Sequence, residues 1–362
     1  MNSASSPFPA CDAQINELCI VEGKPLAEAR EIFQCLRKNS EKLSGTCQQN
    51  LERYVQASRQ AAARGGGALG SFGGFTALTP PVPLATYDGR ISPKGPGLYE
   101  NKISLSSPVL SGERSVTSMS VSAGDLHFNE PIIMTTGQTL PRDLYRAEVG
   151  AQYSLRLADK KSFGLRVSVG STGDQVFQSM NDANFSFGMT YGFPGSARND
   201  YWVALLFFAN NSVLGDYIPI PGIIYIHKTE HFTGVFGFPV LSLQWTPTSD
   251  WSYSLSVLAT TLIAEAAYGN VTGSQYFVQG SFNQQRYILH DRVNDRDRLT
   301  FQERRVGVGY RTPLFSSAYG EVQAGRAFGR SLYIGDKILK TDGGLSDLED
   351  SSFVNASVKF VF

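Results

Sequence analysis

The sequence predicts an all-β transmembrane antiparallel β-barrel of about fourteen strands, with twelve as the second count, behind a small disulfide-stapled α-helical domain. Three observations carry that fold class. From about residue 98 to the C-terminus, apolar and polar residues alternate with period two. Gly (36), Tyr (16) and Phe (23) are abundant, the mixture that tight turns and aromatic girdles need. All four cysteines, Cys11, Cys19, Cys35 and Cys47, fall within the first 50 residues.

The 362 residues suffice for a medium barrel and a small extra domain. Lysine and arginine balance aspartate and glutamate, 32 against 32, which excludes the basic stripe of a nucleic-acid binder. No apolar run approaches the ~18 residues of a membrane helix, and a barrel strand leaves no such mark. The opening MNSASSPFPACDA has neither a basic nor an apolar signal region. The expectation is therefore a mature exported chain with a start Met added.

Composition divides the chain into residues 1–64, 65–97 and 98–362. In the first part, PLAEAREIFQCLRK (25–38) predicts a helix opened by Pro25. Ser44 is placed to cap a second helix through Cys47, Leu51, Tyr54 and Val55, ending near Arg64. An even number of cysteines confined to this segment reads as two disulfides made in an oxidising compartment. Zinc is the competing reading, but there is no CxxC pair and no nearby histidine. So small a helical unit has too little core to stand without staples. Residues 65–97 read as a linker, flexible at GGGALGSFGG and stiffened by Pro80, Pro81 and Pro83. Those glycines lack the following Lys-Ser/Thr of a phosphate loop.

In the third part the strands expected are 99–110, 113–125, 144–158, 161–173, 183–193, 199–210, 220–229, 235–246, 251–258, 261–269, 273–283, 298–312, 316–330 and 352–362. One example shows the alternation: Phe185, Phe187, Met189, Tyr191 and Phe193 against Asn184, Ser186, Gly188, Thr190 and Gly192. A soluble sandwich alternates too, but here the apolar face often ends on an aromatic ring and the other face carries charges and glycines. The gaps at 126–143, 284–297 and 331–350 are expected loops.

The last strand sets Val354, Ala356, Val358, Phe360 and Phe362 against Asn355, Ser357 and Lys359. A closed barrel has no edge, so this strand is expected to pair with the first one. An aromatic last residue behind alternating apolar positions resembles the C-terminal signature of outer-membrane proteins. That resemblance implies the bacterial outer membrane, its lipid and recognition by the barrel-assembly machinery. The runs Leu241–Pro247, Asp250–Trp251 and Arg304–Tyr310 resemble a Gram-negative outer-membrane barrel family of uncharacterised function. Residues ~10–60 resemble one cysteine-rich Golgi-glycoprotein-type repeat, carried by Ala10–Asp12, Ile15, Leu18–Cys19, Cys35–Leu36, Leu43–Ser44 and Cys47. This implies an interaction module without catalytic residues. With it goes the nested pairing Cys11–Cys47 and Cys19–Cys35, one of three that four cysteines allow.

No catalytic, cofactor or metal site is expected. Of the four histidines, His127, His227, His231 and His290, none stands in a hydrolase context. His227 and His231 spell H-x-x-E-H, a motif that binds zinc from a helix. The flanks read as strands, which would hold the two rings roughly 13 Å apart. His290 lies in the charged stretch HDRVNDRDR, a solvated loop.

Parity points Arg146, Glu148, Arg156, Arg166, Glu265, Glu303, Arg305, Arg311, Glu321 and Lys359 into the lumen. Such a lining can bias ion passage or pair across the lumen and block it. The segment 201–209, with Trp202, Ala204, Leu206 and Phe208, is apolar on both faces, so its inner side must be covered, which favours a partly occluded lumen. The expected function is a porin-like passive channel with the helical domain in the periplasm, possible docking piece for an envelope protein. A non-conducting envelope anchor is the alternative, and an outer-membrane enzyme the third reading.

Overall fold

In the computed structural model the described residues are 11–21, 24–25, 29–49, 51, 83–197, 199–211, 218–258, 260–270, 273–315, 317–335 and 345–362. The chain divides into two compact units, Met1–Ala62 and Ala63–Phe362.

In the first unit, helix α1 (Asp12–Leu18) and helix α2 (Ala29–Lys38) pack through Ile15, Ile32 and Leu36 around the sulfurs. Cys11 is bonded to Cys47 and Cys19 to Cys35, with Cα separations of 4.8 and 5.8 Å, so the nested pairing is the observed one. Loops of these lengths stabilise by about 3–4 kcal/mol per bridge in the chain-entropy account. Pro25 stands in a two-residue strand paired with Ile20–Val21, and the helix expected from it begins at Ala29. Ser44 caps the next helical turn as expected: its Oγ accepts from the Cys47 N–H at 3.3 Å. The continuation of that helix to Arg64, and most of the 65–97 linker, lie outside the described residues.

The second unit is a closed antiparallel barrel of sixteen strands. They are β1 (Leu84–Ser92), β2 (Leu98–Ser111), β3 (Ser115–Phe128), β4 (Asp143–Arg156), β5 (Ser162–Gly173), β6 (Ala183–Pro194), β7 (Asp200–Ala209) and β8 (Ile220–Lys228). There follow β9 (Phe232–Gly237), β10 (Val240–Trp245), β11 (Trp251–Leu258), β12 (Thr261–Tyr268), β13 (Gln275–Tyr287), β14 (Arg298–Phe315) and β15 (Ala318–Gly335). The last, β16, comprises Leu345–Leu348 and Ser351–Val361, both paired with β15. Each strand pairs with its sequence neighbour, and β16 closes the ring on β1 with Val354 opposite Ile91 and Val361 opposite Leu84.

Sixteen replaces the expected fourteen for two local reasons. Strand β1 lies in the segment read as linker, where Pro83 and the preceding glycines mask the alternation that begins at Leu84. The expected strand 235–246 is in fact the hairpin β9–β10, turned at Phe238–Pro239, where proline's missing N–H cannot serve a ladder. The two short segments at 220–229 and 261–269 are both strands.

Because Leu84 and Val361 are paired, the ring has a termini end and a loop end. Turns at the termini end are short, as at 112–114 and 229–231, whereas the loop end carries 129–142 and 288–297. The wall is uneven. Strands β14 and β15 have 18 residues each and β9 and β10 only six. At about 3.3 Å per residue, that is about 60 Å of strand against about 20 Å.

The outward face is apolar, with Ile103, Val121, Val169, Val278, Val308, Val322 and Val354 each about half exposed. Rings gather on that face towards the termini end: Trp251 lies 5.0 Å from Tyr268 and Tyr276 5.0 Å from Tyr310. An apolar band with an aromatic girdle is what lipid requires of a barrel wall. No helix among the described residues is long and apolar enough to cross a membrane.

Candidate functional site: the barrel interior

The inward face has three layers, set by which strand positions point in. Nearest the loop end is an apolar core. Leu98, Leu126, Phe128, Leu144, Leu299, Phe301 and Leu332 point inward and bury Ile132, Met134 and Leu140 of the 129–142 loop. Phe128 and Phe301 meet edge to face at 6.1 Å. A second apolar patch, Tyr201, Val203, Leu205, Ile224, Ile226, Val235 and Val240, covers the inner side of β7–β10. The segment 201–209 is thus apolar on both faces, with Tyr201, Val203 and Leu205 as its buried inner side.

Below the apolar core lies a buried charge network. Arg90 on β1 binds Glu100 on β2 at 2.7 Å and Glu303 on β14 at 2.5 Å. Glu303, with its side chain 1% exposed, also lies 3.6 Å from Arg305 and 3.9 Å from Arg330. Arg330 donates to the Glu349 carbonyl at 3.1 Å. Gln285 on β13 donates to Glu100 at 2.9 Å and accepts from the Tyr287 hydroxyl. Strands β13 and β2 are five steps apart round the ring, so this last pair spans a chord of the lumen.

A third set sits nearer the termini end. Arg311 pairs with Glu265 and, at 3.7 Å, with Glu321, and its guanidinium lies 4.5 Å above the Phe277 ring. Gln279 donates to Glu265 at 3.1 Å.

Of the other residues singled out by parity, Arg166 and Glu148 face each other at 3.9 Å across β4–β5. Arg146 borders a small inner cavity with Glu100, Lys102 and Tyr287. Arg156 is half-buried on β4. Lys359 lies in electrostatic reach of Asp88. In β16, Val354, Ala356, Phe360 and Phe362 are exposed and Val358 is half-buried, whereas Ser357 is buried. Sequence reasoning missed Arg90, Glu100 and Arg330. For the first two the signal existed: Thr86, Asp88 and Arg90 alternate with Tyr87 and Ile91, as Glu100 does with Tyr99 and Asn101.

The mouth is crossed by loop 288–297. Ile288 N–H donates to the Thr172 carbonyl at 2.7 Å, and His290 N–H to Asp174 at 2.9 Å. The His290 ring binds Asp182 at 2.9 Å, and Arg292 binds Asp182 at 3.4 Å and the Asn181 carbonyl at 2.9 Å. Asp182 is 1% exposed and also accepts from the Ser179 hydroxyl and N–H. Burial by itself would raise the Asp182 carboxyl, but the hydrogen bonds from Ser179 and His290 outweigh it and hold it below its ordinary value. The same bond to Asp182 raises His290, against a smaller opposing effect of burial. Ser179 bonds the carboxylate and not the ring, so these three residues lack the nucleophile–base contact of a hydrolase.

His227 lies near the end of β8 and binds Asp200 at 2.8 Å, while His231 lies in the exposed turn that follows, so H-x-x-E-H is not on a helix. His127 on β3 binds Asp143 at 2.6 Å. No group of three metal-ligating side chains occurs among the described residues. A depression of about 740 Å³ lies away from the interior, on the outward side of β9–β13, lined by Trp245, Tyr253, Leu255, Ala264 and Val278.

No family model matches the chain, and no curated protein matches it. Solved structures do. The chain is similar to the Pseudomonas putida toluene transporter TodX, at 10% identity and TM-score 0.36, covering 83% of this chain and 93% of that one. It is similar to the KdgM porin at 8% identity and TM-score 0.28, covering 77% and 99%. It is also similar to LpxR from Salmonella typhimurium at 7% identity and TM-score 0.29, covering 77% and 100%. All three likenesses are too distant to carry function, and the barrel rests on its own strand pairing.

Proposed function

We propose that the chain is a porin-like passive channel for ions or small solutes in the bacterial outer membrane, with its helical unit in the periplasm. The observation that carries this reading is a sixteen-strand ring, lipid-compatible outside, whose inner wall holds charges of both signs. Rings of sixteen strands are wide enough to leave an aqueous path, which smaller rings fill with side chains. Adding Arg90, Lys102 and Arg330 against Asp88 and Glu100 keeps positive side chains in excess on that wall, which favours anions mildly.

Outer-membrane lipid is then the partner of the apolar belt, and the assembly machinery that of β16. The disulfide-bonded unit is the piece available to a periplasmic or envelope protein. We read the chain as non-enzymatic. Planar-bilayer recording tests the proposal: discrete conductance steps support it, and a folded barrel that never conducts defeats it.

One observation favours a second reading, a non-conducting envelope anchor. The apolar core and the Arg90–Glu303 network fill the loop-end side of the lumen along β1–β4 and β13–β16. The anchor reading expects silence even when these closures are removed.

A further inference from the structure

Strands β5 and β13 are eight steps apart in either direction round the sixteen-strand ring, so they stand diametrically opposed. Yet the residues that follow β13 are hydrogen-bonded to the end of β5 and to the turn after it. The ring is drawn in at this point: the end of β13 comes within 8 Å of β5, and Ile288, the first residue after β13, bonds Thr172 directly. From there the loop runs on over the turn that follows β5, and its contacts show how it is fastened.

The bridge begins with one backbone bond, from Ile288 to Thr172. The His290 N–H goes on to Asp174, and the side-chain ties of His290 and Arg292 converge on one small segment, Ser179–Asp182. At its centre is a carboxylate, Asp182, buried to 1% and gripped by His290 and Arg292 of the loop together with Ser179 of its own turn. Arg292 is itself 7% exposed in its side chain. Beyond the latch the loop is solvated: Val293 is fully exposed and the Asp295 side chain is 86% exposed. A segment tied by a few charge-assisted bonds at one point, with little apolar anchorage beyond Ile288 and Leu289, has the energetics of an element that opens as a unit.

We infer that loop 288–297 is a strap across the barrel mouth, latched on the Asp182 carboxylate, and that unlatching it admits solutes to the lumen. The inference rests on the channel reading for its purpose. The strap's movement can be tested without any current.

The four native cysteines are all disulfide-bonded, so a single thiol introduced inside the barrel reports alone. Ser122→Cys places it at an inward position of β3, opposite Glu148. Intact cells bearing the full chain are treated with a membrane-impermeant maleimide from outside. Asp182→Asn and the pair His290→Ala with Arg292→Ala should raise the labelling rate about tenfold or more, the factor for losing one charge-assisted bond. Val293→Ala, in the same loop but fully exposed and away from the carboxylate, should leave it unchanged. Since removing a buried carboxylate can disturb folding, a third variant replaces 289–297 by a short Gly-Ser linker, and heat-modifiable mobility checks every barrel. Equal labelling of the wild type and all three unlatched, folded variants overturns the strap. Bilayer conductance of the linker variant judges the channel separately: current with latch-independent labelling defeats the strap alone, and latch-dependent labelling in a silent barrel defeats the channel alone.

Discussion

Replacing Glu303 by Gln removes one charge from the centre of the interior network while keeping the side chain's size. Glu303 is 1% exposed and faces three guanidinium groups, Arg90 at 2.5 Å, Arg305 at 3.6 Å and Arg330 at 3.9 Å. Removing one partner of a buried ion pair costs about 3–5 kcal/mol, because the remaining charge stays desolvated. Arg90 keeps Glu100 at 2.7 Å, so its share of the loss is small. Arg330, with a side chain 0% exposed, loses its carboxylate and retains the Glu349 carbonyl. The expected cost therefore lies at the low end, about 3 kcal/mol, or about two orders of magnitude in the folding equilibrium. Urea unfolding in phospholipid vesicles measures it, with Trp202, Trp245 and Trp251 as the fluorescent reporters. The midpoint should fall without a change in slope. Adding Arg330→Met to Glu303→Gln should restore more than about 1 kcal/mol, since the stranded charge is then gone. A loss below about 1 kcal/mol, with no coupling between the two changes, would refute a desolvated network.

The latch has a pH signature that histidine NMR reads directly: His290 should titrate above its ordinary value and return to it in Asp182→Asn. With its folded value raised, the contribution of His290 is complete below about pH 6.5 and fades as pH rises through the folded value, whereas that of Asp182, whose folded value is depressed, is present above about pH 4 and is lost as pH falls through it. Asp174, Asp291 and Arg292 also face this pair and shift the window together with it. Reducing the two disulfides should abolish the helical circular dichroism of the N-terminal unit and spare the heat-modifiable barrel; unchanged helicity would show that the core around Leu36 suffices alone. Val308→Arg on the outward face should cost about 2–4 kcal/mol in vesicles, and an equal cost for Ser122→Arg on the inward face would contradict the assignment of faces.

The fold was legible where one strand face meets lipid and the other does not. Phe185 to Phe193 and Val354 to Phe360 alternate without a break, and both lie in strands. Legibility failed where local chemistry hid the period. Prolines and glycines ahead of Leu84 made β1 look like linker, and reading across Phe238–Pro239 merged two strands. The second error left a trace, since the inward residues change from odd Val235 to even Val240. The cysteines themselves left three pairings open, and the nested one observed is the one that went with the resemblance to a cysteine-rich repeat.

The interior was legible only in part. Parity named Glu303, Arg305, Arg311 and Glu265 one strand at a time, but partners such as Arg90 and Glu303, three strands apart round the ring, are set by closure. The strap was least legible of all. HDRVNDRDR reads as a solvated loop, and the contact of His290 with Asp182, 108 residues earlier, follows from two loops meeting over the mouth. Distant pairing of this kind has no local signature.

The central claim is that this barrel conducts once its mouth is unlatched. The most direct measurement is single-channel recording in a planar bilayer on the full chain carrying the Gly-Ser replacement of 289–297, in a salt gradient. Discrete steps with a reversal potential mildly on the anion side are the predicted result. A folded, inserted barrel that stays silent, even with the Arg90–Glu303 network also removed, would contradict it and leave the envelope anchor.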